Sequence, residues 1–301
     1  MAQIIETKFI WMDGKFVSWK DAKVHAMTHA LHYGSAVFEG IRSYKTGTGA
    51  AIFRADDHLK RLFFSADVMG IKIKYPMKKV KGVIAKLLKM NKLENAYIRP
   101  LAYYGYGAIG VFPKNAESSL MILALPDYAK ETKPLQITVS KFTRPSEKST
   151  VIGAKISGFY ANSILAMKEA REKGYDEALM LDGQGFVSEG PAQNMFIIKN
   201  KTLISPCNKS ALPGFTRDTI FRIGKDIGLR TAEKNLSVKE VLNSDEAFFC
   251  GTGIELLQVI SIDGKKINNG KPGKFTAMIK DYYFDIVSGK NKKYNKWLSY
   301  V

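Results

Sequence analysis

Two Asp-Gly dipeptides, each set between short apolar runs, constrain the fold of this chain most. Phe9-Ile10-Trp11-Met12, Asp13-Gly14 and Phe16-Val17-Ser18-Trp19 form the first unit. Glu177-Ala178-Leu179-Met180-Leu181, Asp182-Gly183 and Phe186-Val187-Ser188 form the second. Asp-Gly supplies the positive φ of a tight hairpin turn, so both units read as antiparallel pairs. Further strands are expected at Ile41-Arg42-Ser43-Tyr44, Ala51 to Arg54, Ala96 to Leu101, Ser119 to Leu125, Leu135 to Ser140 and Glu246 to Cys250.

Helices are expected where the apolar spacing changes to three and four. From Asp56 to Met69, Leu59, Leu62, Phe63, Ala66 and Met69 share one face behind an acidic first turn. Met77 to Met90 turns its lysines to solvent, Asn162 to Lys173 is helical, and a helix begins after Leu212-Pro213-Gly214 and runs to about Ile227. Strand, hairpin and helix follow one another without a regular βαβ rhythm. The expected class is therefore α+β, or mixed α/β, with antiparallel or mixed sheets flanked by helices. The 301 residues suit two domains, and the proline-bracketed polar stretch from Pro126 to Pro134 divides them. This gives a smaller N-terminal α/β domain over 1–125, a connecting loop over 126–134 and a larger C-terminal domain over 135–301.

Lysine plus arginine outnumber the acids 46 to 28, a formal charge of +18, which raises the question of a nucleic-acid partner. The excess is spread along the chain, and no run interleaves basic with aromatic residues as a single-strand binder does. The expectation is no nucleic acid, with the positive field serving small anions instead. No apolar run reaches a membrane span and the first residues lack the layout of a secretion signal, so no membrane partner and a cytoplasmic location are expected. Cys207 and Cys250 are too few for a disulfide framework. His25, His29 and His32 stand at helical spacing, but no acid or cysteine accompanies them, and no metal is expected.

Gly153-Ala154-Lys155-Ile156-Ser157-Gly158 sets one lysine among small, uncharged neighbours, with Tyr160 five positions on. Such company admits a bulky group close to the chain and favours a neutral, nucleophilic amine. A surface lysine at a strand end fits the same stretch. Three features could bind an anion: Arg61 on its helix, the turn before Phe215-Thr216-Arg217, and Gly251-Thr252-Gly253 after a strand. Each alone also reads as a plain turn or an exposed arginine. Together with the lysine they suit a phosphorylated cofactor. Gly105-Tyr106-Gly107-Ala108-Ile109-Gly110 has dinucleotide spacing, but Phe112-Pro113 cuts any helix short, so it reads as a loop near a pocket.

In order along the chain stand His32-Tyr33-Gly34, Val37-Phe38-Glu39-Gly40-Ile41-Arg42, His58-Leu59-Lys60-Arg61-Leu62, Tyr97-Ile98-Arg99-Pro100, Ala154-Lys155, Ser188-Glu189-Gly190, Ala211 to Arg217 and Gly251-Thr252. With these segments the chain resembles the branched-chain amino-acid aminotransferases, fold-type IV enzymes that use pyridoxal 5'-phosphate. Two departures stand out: Gly158-Phe159-Tyr160, where the family usually has Gly-Asn-Tyr, and Pro191-Ala192-Gln193, where it has a glycine-containing acidic segment.

The resemblance implies a cofactor at the domain interface and a reversible amino transfer between L-leucine, L-isoleucine or L-valine and 2-oxoglutarate. Lys155 would carry the cofactor as a Schiff base (internal aldimine) and shuttle the proton, with Glu189 at the pyridine nitrogen and Tyr160 at the phenolic oxygen. Arg61, the Phe215 amide, and the Thr216 and Thr252 hydroxyls would hold the phosphate. Tyr97 and the amides of Thr252 and Gly253 would meet the α-carboxylate, and Arg99 the second carboxylate of glutamate. Phe38, Tyr33, Tyr128 and Val111 would line an apolar side-chain pocket, some from another subunit of a homodimer or larger homo-oligomer. A D-amino-acid aminotransferase or an aminodeoxychorismate lyase shares Lys155 and Glu189. Outside the fold, a basic nucleic-acid-binding protein remains the alternative.

Overall fold

A computed structural model describes residues 4–127, 133–207 and 210–301. The chain divides into two compact units, one made of Met1–Ala129, Gly153–Gly158 and Asp285–Val301, the other of Lys130–Ile152 and Phe159–Phe284.

The first unit is built on β1 (Phe9–Met12), β2 (Lys15–Ser18), β3 (Ala36–Phe38), β4 (Ile41–Thr46), β5 (Gly49–Phe53), β6 (Ala96–Tyr104), β7 (Ser118–Pro126) and the C-terminal strand Leu298–Tyr300. Their order is C-terminal strand, β5, β4, β6, β7, β1, β2, with β3 also on β6. Every described pair in this sheet is antiparallel. The first hairpin turns where the dipeptide predicts it, with Asp13 at φ 40° and Gly14 at φ 98°. Helix α1 (His29–Tyr33) is short; α2 (Ala55–Val68) and α3 (Met77–Met90) are the amphipathic helices predicted. Leu59, Leu62 and Ala66 of α2, and Val80, Ile84, Leu87 and Leu88 of α3, are buried. Each buried leucine, isoleucine or valine among them contributes roughly 1.5–3 kcal/mol, which is what holds a lysine-rich helix to the unit.

The three histidines do not share a helix, because α1 contains only His29 and His32. His29 is buried, its Nδ1 against Ser35 Oγ at 2.6 Å and its Nε2 against the Gly110 carbonyl at 2.7 Å.

The second unit carries β8 (Leu135–Val139), α4 (Tyr160–Glu172), β9 (Glu177–Leu181), β10 (Val187–Glu189), β11 (Asn194–Lys199) and β12 (Thr202–Pro206). It continues through α5 (Phe215–Asp226), β13 (Arg230–Lys234), α6 (Val238–Leu242), β14 (Glu246–Gly251), β15 (Glu255–Ile262) and β16 (Lys265–Lys266). The strand order is β10, β9, β8, β15, β14, β11, β12, β13, and β10 pairs with β11 as well. The strands from β10 round to β11 therefore close into a barrel. The sheet is mixed: β8 runs parallel to both β9 and β15, and β12 parallel to β13. Its core includes Ile137, Leu179, Val187, Met195, Phe249 and Val259.

The second hairpin pairs as predicted, but its turn is longer than two residues. Asp182 Oδ1 accepts from the amides of Gln184 and Phe186, and the positive φ falls at Gly185. An aspartate that bonds its own following backbone builds a wider turn than Asp-Gly alone does.

The first division between the units falls at 129/130, inside the expected 126–134 stretch, but two later segments also belong to the first unit. Gly153–Gly158, with Lys155, belongs to the first unit, because Ile156 bridges to Val37 and Lys155 N donates to Ser65 Oγ at 2.9 Å. Residues 285–301 join it too, their last strand pairing with β5. The lysine-bearing segment is thus not part of the C-terminal unit, and the two units are nearly equal in size.

Candidate active site

The predicted site residues fall into two groups, one in each unit. In the first unit, Phe38 ends β3, and its amide donates to the Lys155 carbonyl at 3.1 Å. With Ala154 and Ile156 buried on either side, Lys155 is held by main chain before and after it. Its Nζ lies 5.0 Å from the centre of the Phe38 ring. Gly158 comes so close to Gly34 that a Cβ on Gly34 would meet its Cα at 2.7 Å, and Gly34 already sits at φ 63°. The small residues around the lysine thus serve a close backbone crossing.

Arg99 lies over the same Phe38 ring at 4.5 Å, and its Nη2 donates to Tyr97 Oη at 2.9 Å. The Arg99 Nε is buried and has no hydrogen-bond partner among the described residues. Gly40 is where the Tyr97 hydroxyl rests, and a Cβ there would overlap it. Phe38, Lys155, Tyr97 and Arg99 are therefore one cluster. Arg61 projects from α2 onto Glu39, which follows Phe38 directly: Nε and Nη2 both reach its carboxylate, the latter at 3.0 Å. The sequence alternative of an exposed helix arginine does not hold, since its side chain is 9% exposed.

Tyr33 and Val111 stand apart from this cluster. Tyr33 Oη accepts from Gly110 N at 3.2 Å, while Tyr33 is 44% and Val111 84% exposed. Tyr128 lies outside the described residues.

In the second unit, Glu189 ends β10 beside a register shift and pairs with Asn194 of β11. It is buried, and its Oε1 accepts from Arg144 Nη2 at 2.7 Å and Leu212 N at 3.3 Å. Its Oε2 accepts from Asn194 Nδ2 at 2.9 Å. These donors, one of them charged, favour the ionised carboxylate and fix its plane. Arg144 is itself placed by its amide on the Leu181 carbonyl and by Nη1 on Ser163 Oγ.

Asn194 also seats Leu212 O at 2.9 Å, and a Cβ on Gly214 would overlap Asn194 Oδ1. Gly214 is the N-cap of α5 and brings no side-chain cap of its own, and the second residue of the helix, Thr216, is buried. The Gly251-Thr252-Gly253 turn leaves β14 just beyond Cys250, which pairs with Asn194 across the sheet. Burial pushes the Cys250 thiol far up, so it stays protonated and unreactive. Tyr160 opens α4.

The departure at Pro191-Ala192-Gln193 makes a tight turn, with Gly190 N on the Gln193 carbonyl at 2.7 Å. Gln193 Nε2 donates to Glu177 Oε2 at 2.8 Å, and burial raises the Glu177 carboxyl above its ordinary value. The glutamine thus supports a buried acid one strand away from Glu189. The sequence reading assigned nothing to Arg144, Asn194, Glu39 or His58. Arg144 sits in a loop with no motif around it, and only the fold brings it to Glu189.

Residues 36–262 match the family model described as amino-transferase class IV. The branched-chain-amino-acid aminotransferase of Pseudomonas aeruginosa is 39% identical over 297 residues, 97% of each chain. That of Escherichia coli K12 is 36% identical over 301 residues, again 97% of each chain. Among solved structures, a T.th. branched-chain amino acid aminotransferase complexed with N-(5'-phosphopyridoxyl)-L-glutamate aligns with a TM-score of 0.95 at 36% identity, covering 98% of this chain and 99% of the other. A likeness of this extent, on a chain that holds one lysine among small residues and a buried, donor-fixed acid, shows that it belongs to the class IV amino-transferase family, among its branched-chain-amino-acid aminotransferases.

Proposed function

We propose that this protein is a pyridoxal-phosphate-dependent aminotransferase that moves an amino group reversibly between L-leucine, L-isoleucine or L-valine and 2-oxoglutarate. The observation that carries the reading is Glu189, a buried carboxylate that accepts from Arg144, Asn194 and Leu212 N, on a chain similar over 97% of its length to a branched-chain enzyme. A carboxylate fixed by such donors suits a protonated ring nitrogen.

The donor set fits the cofactor. An arginine, a helix N-terminus that opens on glycine and two threonine hydroxyls suit a phosphate, and the lysine supplies the amine. Arg61, the Phe215 amide, Thr216 and Thr252 would hold the phosphate, Tyr160 the phenolic oxygen, Glu189 the ring nitrogen and Lys155 the aldehyde carbon. When bound, pyridoxal phosphate supplies the electron sink for the carbanion at the substrate α-carbon. Lys155 takes and returns the proton at that carbon. Tyr97 and the amides of Thr252 and Gly253 receive the α-carboxylate, and Arg99 the second carboxylate of glutamate. Its buried Nε, which lacks a partner among the described residues, is consistent with a guanidinium built to receive an anion. Phe38 gives the apolar wall, and Tyr33 and Val111 complete it from a neighbouring subunit.

The protein is proposed to work as a homodimer or larger homo-oligomer. Leu31, Tyr33, Tyr106, Ile109, Val111 and Phe112 are all exposed, Ile109 and Phe112 at 80% each. Helix α1 and the loop are tied together by Gly110 N on Tyr33 and by His29 Nε2 against the Gly110 carbonyl. An exposed apolar patch of this kind marks an interface. The reading includes a cytoplasmic setting, where both free thiols stay reduced. No helix among the described residues is long and apolar enough to cross a membrane.

The test is a visible absorption spectrum of the purified protein, before and after L-leucine and separately after D-alanine. A cofactor band that falls with L-leucine, and returns with 2-oxoglutarate, is the expected result. A band that responds to D-alanine alone moves the activity to the other enantiomer, and no band after incubation with pyridoxal phosphate removes the reading.

A further inference from the structure

Glu39 is fully buried, and its two carboxylate oxygens take donors from two side chains. Arg61 reaches it through Nε and Nη2, and His58 Nδ1 lies 2.7 Å from Oε2. Burial alone would push the Glu39 carboxyl up, but Arg61 and His58 outweigh it and bring it down to about 2. The acid is therefore ionised at neutral pH. An ionised carboxylate only accepts, so the proton sits on His58 Nδ1. Burial lowers His58 below its ordinary value, against the pull of Glu39, so the ring donates as a neutral group.

The origin of the carboxylate is as fixed as its end. Glu39 N donates to the Pro100 carbonyl at 3.0 Å. On one side Phe38 holds the Lys155 carbonyl and lies beside its Nζ; on the other, Gly40 leaves room for the Tyr97 hydroxyl. Three consecutive residues thus touch the lysine, the helix arginine and the substrate-side tyrosine. A guanidinium is a planar fork of five donors, so holding one edge fixes the direction of the other. A bidentate carboxylate also removes most of the rotamer freedom of a long side chain.

We propose that Glu39 is a positioning residue: with His58 it fixes the plane of the Arg61 guanidinium so that the arginine meets the cofactor phosphate ready aligned. The proposal rests on the phosphate role of Arg61 in the reading above. It makes Glu39 act on the phosphate end of the cofactor and not on the ring or the lysine.

The experiment compares the affinity of the apoprotein for pyridoxal phosphate and for pyridoxal, which lacks the phosphate, in wild type, Glu39→Gln, Arg61→Ala and the double variant. Wild type is expected to prefer the phosphorylated form. Glu39→Gln should weaken pyridoxal phosphate by roughly ten- to hundredfold, the scale of a lost charged hydrogen bond, and leave pyridoxal unchanged. In the Arg61→Ala background, Glu39→Gln should add no further loss. His58→Asn keeps a donor where Nδ1 stood and should retain wild-type affinity, whereas His58→Leu should weaken pyridoxal phosphate by about two- to tenfold.

Equal losses for both ligands would make Glu39 a support of the fold alone and overturn the proposal. So would unchanged affinity in Glu39→Gln, or additive losses in the double variant. If Glu39→Gln does not fold, the two His58 variants decide by the same comparison. A wild type that binds both ligands equally refutes the phosphate role of Arg61, a different failure from that of Glu39.

Discussion

Lys155 is one lysine among many, and its neighbours distinguish it: glycine, alanine and serine around it, a backbone crossing at Gly34, and the Phe38 ring 5.0 Å from its amine. Lys155→Ala is expected to abolish transamination while shifting the melting temperature by no more than about 2–3 °C, since a half-buried side chain is lost without a cavity in the core. Turnover assays and thermal melts check both halves. His58 gives the pH dependence. Its folded pKa lies below the ordinary 6.5, so the unfolded chain takes up a proton first and stability falls as pH drops below about 6.5. Besides Glu39, the positive charges of Arg61 and Arg54 face it. The wild-type melting temperature should therefore fall by about 1–3 °C more than that of His58→Asn between about pH 7.5 and about pH 5.5. The stabilisation tied to Glu39 has the opposite origin and a lower window. It is complete above about 4.5 and lost as pH falls to about 2.

At the scale of elements, position is set by a few close approaches. Gly40→Ala puts a Cβ into the Tyr97 hydroxyl and should raise the KM for the amino donor about tenfold, with a stability cost of about 1–3 kcal/mol. Steady-state kinetics separates that from a change in kcat. Helix α6 is closed by a capping box, Ser237 Oγ accepting from Glu240 N and Glu240 accepting from Ser237 N. Ser237→Ala should cost about 1 kcal/mol in denaturant unfolding and leave turnover unchanged. Several elements were legible in the sequence for plain reasons. The periodicity of Leu59, Leu62 and Ala66 gave α2, and Asp13-Gly14 gave the first hairpin. The second turn misled, because Asp182 accepts from backbone two and four residues on and so replaces the two-residue turn.

For the whole molecule, the exposed loop carrying Ile109, Val111 and Phe112 is the test of assembly. Ile109→Asp and Val111→Asp should each lower the mass seen in sedimentation velocity to that of one chain, because a charge buried in an interface without a partner is costly. A wild type that sediments as one chain would remove the proposed assembly, and unchanged mass in the variants of an oligomeric wild type would place the interface elsewhere. The charge of +18 includes exposed lysines of α3 such as Lys78, Lys79, Lys86 and Lys89, and a positive balance of this kind favours the approach of small anions.

By itself the sequence determined what depends on neighbours along the chain: hairpins, amphipathic helices, the small-residue setting of Lys155, and the ordered segments by which the family is recognised. Only the tertiary structure decided what depends on distant pairs. It moved Lys155 and the last residues into the first unit, because strand pairing with Val37 and β5 outweighs chain order. It closed the second sheet on itself through β10 and β11. It also gave Glu189 its partners Arg144 and Asn194, and Arg61 its partners Glu39 and His58. A buried charge must find its donors wherever the fold places them, and no local pattern records where that is.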